Sequence, residues 1–453
     1  MGKRMFTRRQ VIATTSAAAF TTLIDWPYKG FAIAGQDHKK LAIMGGTPVR
    51  TAPWPEWPVW DPSAEKDILE MLRSGKWWRG RGDYVAEFEE KYAELIGTKR
   101  CLATASGTTA LLISLHVLGV DAGDEVLVSP YTFIATYNSI FISKALPVFV
   151  DTDPETFLID TGKIEEKINE RTTAILPVHI YGLPVDMDSV NNIAGKHGLK
   201  VIEDACQAWL AEYKNRKAGT FGDLGCFSFQ NSKHIPTGEG GAIVGNDDEV
   251  MDRCFSFHNC GRSYGSVKGT TPYPTRGSNR RMQQMQAIML MSQMKRAKKD
   301  ADVRLANALY LDSKLKDLPG IFTYKLAKGA NRSAYHLYPF RYKKEFFNNI
   351  PKNKFIEALW AEGIPASSGY GPQNKYELVE EAINSRGYKR LFGEDRLRRY
   401  REENHLPGND QLCEEAVTFY QSLLLGTTSD MDDIVRAITK IYENRDSLIK
   451  TKK

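Results

Sequence analysis

The sequence predicts an α/β protein whose main domain is a largely parallel sheet with helices on both faces. Stretches compatible with helices separate most of six short apolar runs, at residues 125–128, 147–150, 174–178, 200–202, 226–229 and 242–244. The pattern changes after Met282, which indicates a second, smaller α+β domain. The 453 residues suffice for two such domains, and the hydrophobic and charged fractions, 42% and 26%, are ordinary for a globular protein.

Residues 1–34 resemble a twin-arginine export signal. Arg8 and Arg9 precede an uncharged stretch at 11–24, and Ala32-Ile33-Ala34 offers a cleavage site with small residues at its first and third positions. The uncharged stretch is too short and too polar to span a bilayer as a stable helix. We therefore expect an exported, periplasmic or extracytoplasmic protein with no stable membrane span. The alternative is an uncleaved extension on a cytoplasmic protein.

The next segment, residues 35–60, predicts an extended arm, because its many prolines exclude a regular helix. Asp61-Pro62 is a helix start signal, and the apolar positions of that helix are Ile68, Leu69 and Leu72. A second helix stops at Gly97 and carries apolar residues at helical spacing, namely Val85, Phe88, Tyr92 and Leu95.

Domain boundaries follow from these patterns. We expect a large domain at 61–284 and a small C-terminal domain at 285–453. The small domain begins with a long helix whose apolar residues are Met285, Ile288, Met289, Met291 and Met294. A strongly charged insertion at about 373–410 is expected to be a solvated helix or loop.

Charge and cysteine spacing exclude two other classes of function. The net charge of +6 is a small difference between 61 basic and 55 acidic residues, and no basic run suggests nucleic-acid binding. The six cysteines form neither a CxxC pair nor a zinc spacing, so we expect no metal site.

The most informative residue is Lys233. It follows the strand-like run at 226–229 and precedes a glycine-rich turn at 238–241. Upstream, the strand-like run at 200–202 ends in Glu203-Asp204. A lysine that forms a Schiff base and a carboxylate that keeps the pyridine nitrogen protonated are the groups that pyridoxal phosphate chemistry needs. Taken alone, the lysine would be a surface residue and Asp204 a turn residue.

Five motifs together resemble the DegT/DnrJ/EryC1/StrS family of sugar aminotransferases, which are pyridoxal phosphate enzymes of fold type I. The resemblance covers roughly residues 40–445, and the motifs occur in the family's order. They are the Lys233 segment, Ala105-Ser106-Gly107-Thr108-Thr109-Ala110, Tyr131-Thr132-Phe133-Ile134-Ala135-Thr136, Glu203-Asp204-Ala205-Cys206-Gln207-Ala208 and Gly277-Ser278-Asn279-Arg280-Arg281-Met282.

The resemblance implies a role for each candidate site residue around pyridoxal 5'-phosphate. Lys233 and Asp204 are the expected catalytic residues, Gln207 is expected near the phenolic oxygen, and Phe133 is expected to stack on the ring. The cofactor's phosphate is expected to be held by Ser106, Gly107, Thr108 and Ser228, and by Asn279 of a neighbouring subunit. An ordinary N-cap is the alternative for Ser106, and a core aromatic is the alternative for Phe133. The Asn279 role implies a homodimer with shared active sites.

The implied reaction is transamination from glutamine or glutamate to a keto-sugar or keto-cyclitol. The segments at 45–55 and 77–80 resemble the branch that aminates scyllo-inosose with glutamine. Two alternatives are a sugar dehydratase of the same family, which carries histidine where this chain has Lys233, and a non-catalytic regulatory member. Structural roles are expected for His179, His234 and His336. The chain departs from the family at Trp209, where histidine is frequent, and this substitution can reshape the substrate pocket.

Overall fold

A computed structural model describes residues 39–450, so the expected export signal at 1–34 lies outside the described residues. The main sheet has seven strands in the order β1-β9-β8-β5-β4-β2-β3. These strands are β1 (Arg100–Thr104), β2 (Glu125–Val128), β3 (Leu146–Phe149), β4 (Thr172–Leu176), β5 (Lys200–Asp204), β8 (Leu224–Ser228) and β9 (Gly241–Gly245). Short strands β6 (Glu212–Tyr213) and β7 (Arg216–Lys217) form a separate sheet with β11 (Ala330–Arg332).

Pairing within the main sheet confirms the predicted fold class. Strands β3, β2, β4, β5 and β8 run parallel, whereas β9 lies antiparallel between β8 and β1. All six predicted strands are present within two residues of the predicted bounds. The edge strand β1 was not predicted, because its five residues begin with Arg100 and end with Thr104 and so form no continuous apolar run.

Helices cover both faces of this sheet. Along β8, Cys226 and Phe227 point to opposite faces and belong to two different hydrophobic cores. The helices before the small domain are α1 (Glu65–Ser74), α2 (Tyr84–Ile96), α3 (Gly107–Val117), α4 (Ala135–Ile142), α5 (Met187–His197) and α6 (Asp248–His258). Helix α3 packs on the face of Cys226 and α2 on the face of Phe227.

A long helix, α7 (Gln284–Leu315), leads into a second, four-stranded antiparallel sheet in the order β10-β12-β14-β13. Its strands are β10 (Ile321–Thr323), β12 (Leu337–Tyr342), β13 (Ala366–Ser368) and β14 (Ala416–Tyr420). The accompanying helices are α8 (Lys352–Ala361), α9 (Glu377–Asn384), α10 (Arg386–Glu402), α11 (Pro407–Glu415), α12 (Thr428–Glu443) and α13 (Arg445–Lys450). Within residues 39–450, no helix is both long and apolar enough to cross a bilayer.

Two sequence expectations need correction. In α1, Leu69 and Leu72 are exposed, and the buried apolar residue of that helix is Met71. The charged insertion is helical but not simply solvated, because one face of α10 is buried against the large domain. On that face Arg396 donates two hydrogen bonds to the buried Glu125, at 2.6 and 2.8 Å, and the charge of the helix therefore concealed a packing surface.

The described part of the arm, residues 39–60, contacts both domains. Indole Nε1 of Trp54 donates a hydrogen bond to Gly363 O at 2.9 Å, in the small domain. The corresponding nitrogen of Trp57 donates to Lys233 O at 3.1 Å, in the loop after β8. The arm thus reaches the segment that carries the candidate catalytic lysine.

Candidate active site

The candidate residues gather where the parallel strands end. Asp204 is the last residue of β5, Ser228 is the last residue of β8, and Lys233 lies in the loop between β8 and β9. Ligands of open α/β sheets bind beyond the carboxyl ends of the strands. The topology therefore brings together groups that lie 29 residues apart in sequence, at positions 204 and 233.

The loop that carries Lys233 is fixed by hydrogen bonds to its main chain. Lys233 N donates to Gln230 O at 2.8 Å, and Ser232 O accepts hydrogen bonds from Tyr420 and Gln421 of the small domain. The Lys233 Nζ atom lies 3.3 Å from Nε2 of His336. Burial lowers the pKa of the Lys233 ammonium, although the nearby Asp204 carboxylate opposes that shift. A neutral amine is the nucleophilic form of lysine.

Asp204 is buried and held in one orientation. Its Oδ2 accepts a hydrogen bond from the Thr136 hydroxyl at 2.7 Å, and its Oδ1 accepts one from Cys206 N at 3.1 Å. Both donors are neutral, and none of the salt bridges among the described residues involves this carboxylate. A fixed anion without a salt-bridge partner can hold a proton on a ligand's basic nitrogen.

The neighbouring Glu203 and His179 serve the fold. Glu203 accepts hydrogen bonds from three main-chain N–H groups, of Gly219, Phe221 and Gly222. His179 Nδ1 accepts a hydrogen bond from Val185 N at 3.0 Å, so Nε2 carries the proton and donates to Glu203 at 2.9 Å. This arrangement confirms the expected structural role of His179.

Gln207 lies on the same side of the sheet and is buried. Its Oε1 accepts a hydrogen bond from Tyr181 N at 2.9 Å, and its Nε2 donates to the Tyr370 hydroxyl at 3.0 Å. The rings of Tyr181 and Tyr370 are stacked, with centroids 5.6 Å apart. The Gln207 amide group is thus held in place by Tyr181 from the large domain and Tyr370 from the small domain.

The start of α3 forms the other end of the site. Ser106 caps the helix, since its Oγ accepts a hydrogen bond from Thr109 N at 3.1 Å. A Cβ on Gly107 would lie 2.8 Å from both Cys206 Sγ and Ser228 Cβ, so only glycine allows this close approach. The first helical turn, which includes Thr108, begins at Gly107 beside Ser228, and the N–H groups at the start of a helix suit an anion.

Phe133 and Asn279 are both exposed in the single chain. The Phe133 side chain is 49% exposed, which excludes the alternative of a core aromatic. The preceding residue is anchored, because Thr132 O accepts a hydrogen bond from the Gln373 side chain at 2.5 Å. Asn279 lies in an extended segment. The carbonyl oxygen of the next residue, Arg280, accepts a hydrogen bond from Ala105 N at 2.9 Å.

The contact of His336 with Lys233 is the main feature that sequence analysis missed. Its expected structural role has to be corrected, because its Nε2 touches the lysine and its Nδ1 has no hydrogen-bond partner among residues 39–450. His234 fits the expectation better, with Nε2 donating to Ala334 O at 3.0 Å. No local pattern distinguishes His336, which comes from the small domain 103 positions further along the chain.

Comparison with known proteins agrees with this geometry. The model of the DegT/DnrJ/EryC1/StrS aminotransferase family matches residues 60–421. L-glutamine:2-deoxy-scyllo-inosose aminotransferase of Streptoalloteichus tenebrarius is 35% identical over 425 residues, which covers 90% of this chain and 99% of the relative. L-glutamine:scyllo-inosose aminotransferase of Streptomyces griseus is 32% identical over 422 residues, covering 89% and 98%.

Solved structures show the same fold. The chain matches 3-amino-5-hydroxybenzoic acid synthase with a TM-score of 0.76 and 27% identity, covering 87% of this chain and all of the other (100%). An aminotransferase from Psychrobacter cryohalolentis matches with a TM-score of 0.76 and 29% identity, with the same coverage of 87% and 100%.

Proposed function

Because the chain belongs to the DegT/DnrJ/EryC1/StrS aminotransferase family, we propose that it uses pyridoxal 5'-phosphate to move an amino group from glutamine to a keto-cyclitol of the inosose class. Family membership makes the chain an aminotransferase. The observation that carries the proposed substrates is full-length similarity to several glutamine:inosose aminotransferases, at 32–35% identity.

The residues of the site fit the proposed cofactor at both of its ends. An amine of lowered pKa, Lys233, and an anchored carboxylate, Asp204, suit an aldehyde and a pyridine nitrogen. At the other end, the first turn of α3 and the Ser228 hydroxyl suit a phosphate, and the bare Gly107 leaves room for it. Exposed Phe133 can cover one face of a flat ring.

When bound, pyridoxal phosphate supplies an electron sink for the bond that breaks at the donor's Cα. The chain's own groups supply the remainder. Lys233 would hold the cofactor through its aldehyde, and its amine, once free, would accept the proton from Cα of the donor. Asp204 would keep a proton on the pyridine nitrogen. His336, whose Nε2 lies 3.3 Å from Lys233 Nζ, would orient the free lysine amine.

A homodimer with shared sites is part of this proposal. It is supported by Asn279, which is exposed in the single chain. The next residue, Arg280, accepts a hydrogen bond from Ala105 N, so Asn279 lies near the start of α3. An asparagine at that place can donate its amide to a phosphate held by a second copy. Exposed tryptophans at positions 77 and 78, 58% and 49% exposed, suit the same interface.

Export through the twin-arginine route is a further part of the proposal. It is supported by Arg8 and Arg9, by the uncharged stretch at 11–24 and by the small residues at 32 and 34. Loading of the cofactor before export is consistent with a route that carries folded proteins.

Spectroscopy with a substrate screen tests the proposal directly. The purified protein, loaded with pyridoxal phosphate, is expected to show a visible band that shifts when L-glutamine is added. A panel of inososes and nucleotide-linked keto-sugars, followed by release of the 2-oxo acid, then identifies the acceptor. Turnover with keto-sugars and none with inososes would contradict the proposed acceptor class but leave the aminotransferase activity standing.

A further inference from the structure

Arg304, a residue of α7, carries a buried guanidinium group. Its side chain is fully buried, and among residues 39–450 no atom accepts a hydrogen bond from its Nε, Nη1 or Nη2. Asp300 lies one turn earlier on the helix but forms its ion pair with Arg296 Nε, at 2.9 Å. Burial lowers the pKa of Arg304 only to about 10, so the guanidinium stays charged at neutral pH.

The groups around Arg304 do not neutralise it. The Trp57 ring lies 4.9 Å from its Cζ and 5.8 Å from that of Arg296, so two guanidinium groups share one indole and one carboxylate, Asp300. A cation–π contact offsets only part of the cost of burying an unpaired charge. The cluster therefore has an excess of one positive charge.

This cluster adjoins the segment of the reactive lysine. Trp57, which covers Arg304, donates its indole hydrogen bond to Lys233 O at 3.1 Å. The charge of Arg304 contributes, after burial, to lowering the pKa of His234 and of His336, which touches Lys233 Nζ. Neither histidine can supply a counter-ion, because an imidazole side chain is either neutral or positively charged. His336 Nδ1 also lacks a hydrogen-bond partner among the described residues.

We propose that Arg304 binds a small monovalent anion next to the Lys233 segment. The bound anion should carry a single negative charge because the cluster of Arg296, Asp300 and Arg304 has one excess positive charge. Two sources share this chemistry, namely the carboxylate of the amino donor and a halide from solvent. The first source rests on the proposed function, whereas the second does not depend on it.

Bromide identifies the site without any turnover. Crystals of the wild-type protein soaked in sodium bromide are expected to show an anomalous peak at the Arg304 guanidinium. Arg304→Met, which keeps the length of the side chain and removes its charge, is expected to lose that peak. The difference in melting temperature between the wild type and Arg304→Met should also grow as sodium bromide is added, because general effects of the salt act equally on both proteins.

Kinetics distinguishes the two sources. If the site takes the donor carboxylate, Arg304→Met raises KM for glutamine about 10-fold to 100-fold, and bromide competes with glutamine in the wild type. If it takes a solvent halide, bromide binds without competing. Arg262→Met, at an exposed arginine that lies over Tyr273, is the matched control and should change neither measurement.

One combination of results would overturn the proposed anion site at Arg304. Ordered water alone at Arg304 in the bromide-soaked wild type, together with an unchanged KM for glutamine in Arg304→Met, would show that no anion binds there. If Arg304→Met does not fold, Arg304→Lys keeps the charge and should keep the bromide peak. Because the peak and the melting curves need no activity, a failure of the proposed transamination would not be mistaken for a failure of this site.

Discussion

At the residue scale, Lys233 combines a lowered pKa with a fixed main chain. Burial favours the neutral amine, and hydrogen bonds from Trp57, Tyr420 and Gln421 hold the main chain of residues 232 and 233. The side chain can therefore leave and return to a ligand while its backbone stays in place. This is what a lysine needs if it holds a cofactor and later moves a proton.

Replacing Lys233 with alanine is expected to abolish covalent attachment of the cofactor and transamination, and to leave a folded protein. The reason is that, among the described residues, no second lysine amine contacts His336 at this site, so no other amine is in position to replace that of Lys233. Borohydride reduction followed by intact-mass measurement should show the added cofactor mass in the wild type and not in the variant. Lys200→Ala, at an exposed lysine, is the control. Turnover of Lys233→Ala near the wild-type rate would contradict the assignment.

Asp204→Asn should retain the fold and the cofactor but lose activity by about 100-fold or more, because an amide cannot stabilise a protonated pyridine nitrogen. The asparagine can still accept a hydrogen bond from Cys206 N and contact the Thr136 hydroxyl, so the loss would not arise from misfolding. Hydrogen exchange at Cα of the amino donor is the measurement. Unimpaired exchange in the variant would remove Asp204 from the mechanism.

At the scale of elements, α10 shows how a charged sequence can hide a packing surface. Its side chains Tyr388, Phe392, Leu397 and Tyr400 are buried. The helical spacing is interrupted at Gly393, whose φ of 74° is non-helical, so a single helical period does not fit all four residues. Arginines on both sides of the break further masked the pattern, and Arg396 is itself buried against Glu125.

Replacing only one member of the Arg396–Glu125 ion pair should destabilise the protein more than replacing both. Arg396→Met leaves the Glu125 carboxylate buried without its cation and is expected to lower the free energy of unfolding by about 3–5 kcal/mol. Adding Glu125→Leu should recover much of that loss. Arg398→Met, on the same helix but exposed, should change stability by about 0.5 kcal/mol or less. Urea unfolding measures all three, and equal losses for the single and double variants would exclude the expected coupling.

Strands and site residues could be predicted from the sequence where the pattern that marks them lies on a short stretch of chain. Apolar runs gave six strands, and the Lys233 and Asp204 motifs were recognisable because each lies on a short stretch of chain. Strand β1 carries its polar residues at its ends and has no such run. His336 and Arg304 reach the site only when the small domain and α7 fold onto the large one, so no local pattern predicts them.

At the scale of the whole molecule, the site depends on contacts between domains. Tyr370, Tyr420 and Gln421 from the small domain hydrogen-bond to residues 207 and 232 of the large one. The exposed Asn279, by contrast, has its proposed ligand on a second copy of the chain. A homodimer would complete the phosphate end of each site.

Subunit exchange tests that arrangement. Lys233→Ala and Asn279→Ala dimers are each expected to be impaired, the first in chemistry and the second in holding the cofactor's phosphate. After mixing in equal amounts, half of the sites in each mixed dimer carry both native groups, so about one quarter of the wild-type activity should return. Mass spectrometry of the intact dimers verifies that exchange has occurred. No recovery after verified exchange would count against shared sites.

The last prediction concerns where the protein is found. If residues 1–34 are a twin-arginine signal, the mature chain should begin near Gly35 and leave the cytoplasm with its cofactor bound. A twin-arginine export receptor would recognise Arg8 and Arg9 as a pair, so replacing both with lysine should trap the protein inside although the net charge stays the same. We expect the short, uncharged stretch at 11–24 not to anchor the chain, so the exported form should separate from the membrane fraction after cleavage. Cell fractionation with amino-terminal sequencing measures this outcome. A cytoplasmic protein that keeps Met1 and ignores the double replacement would refute export, while the aminotransferase assignment, which depends on residues 60–421, would stand.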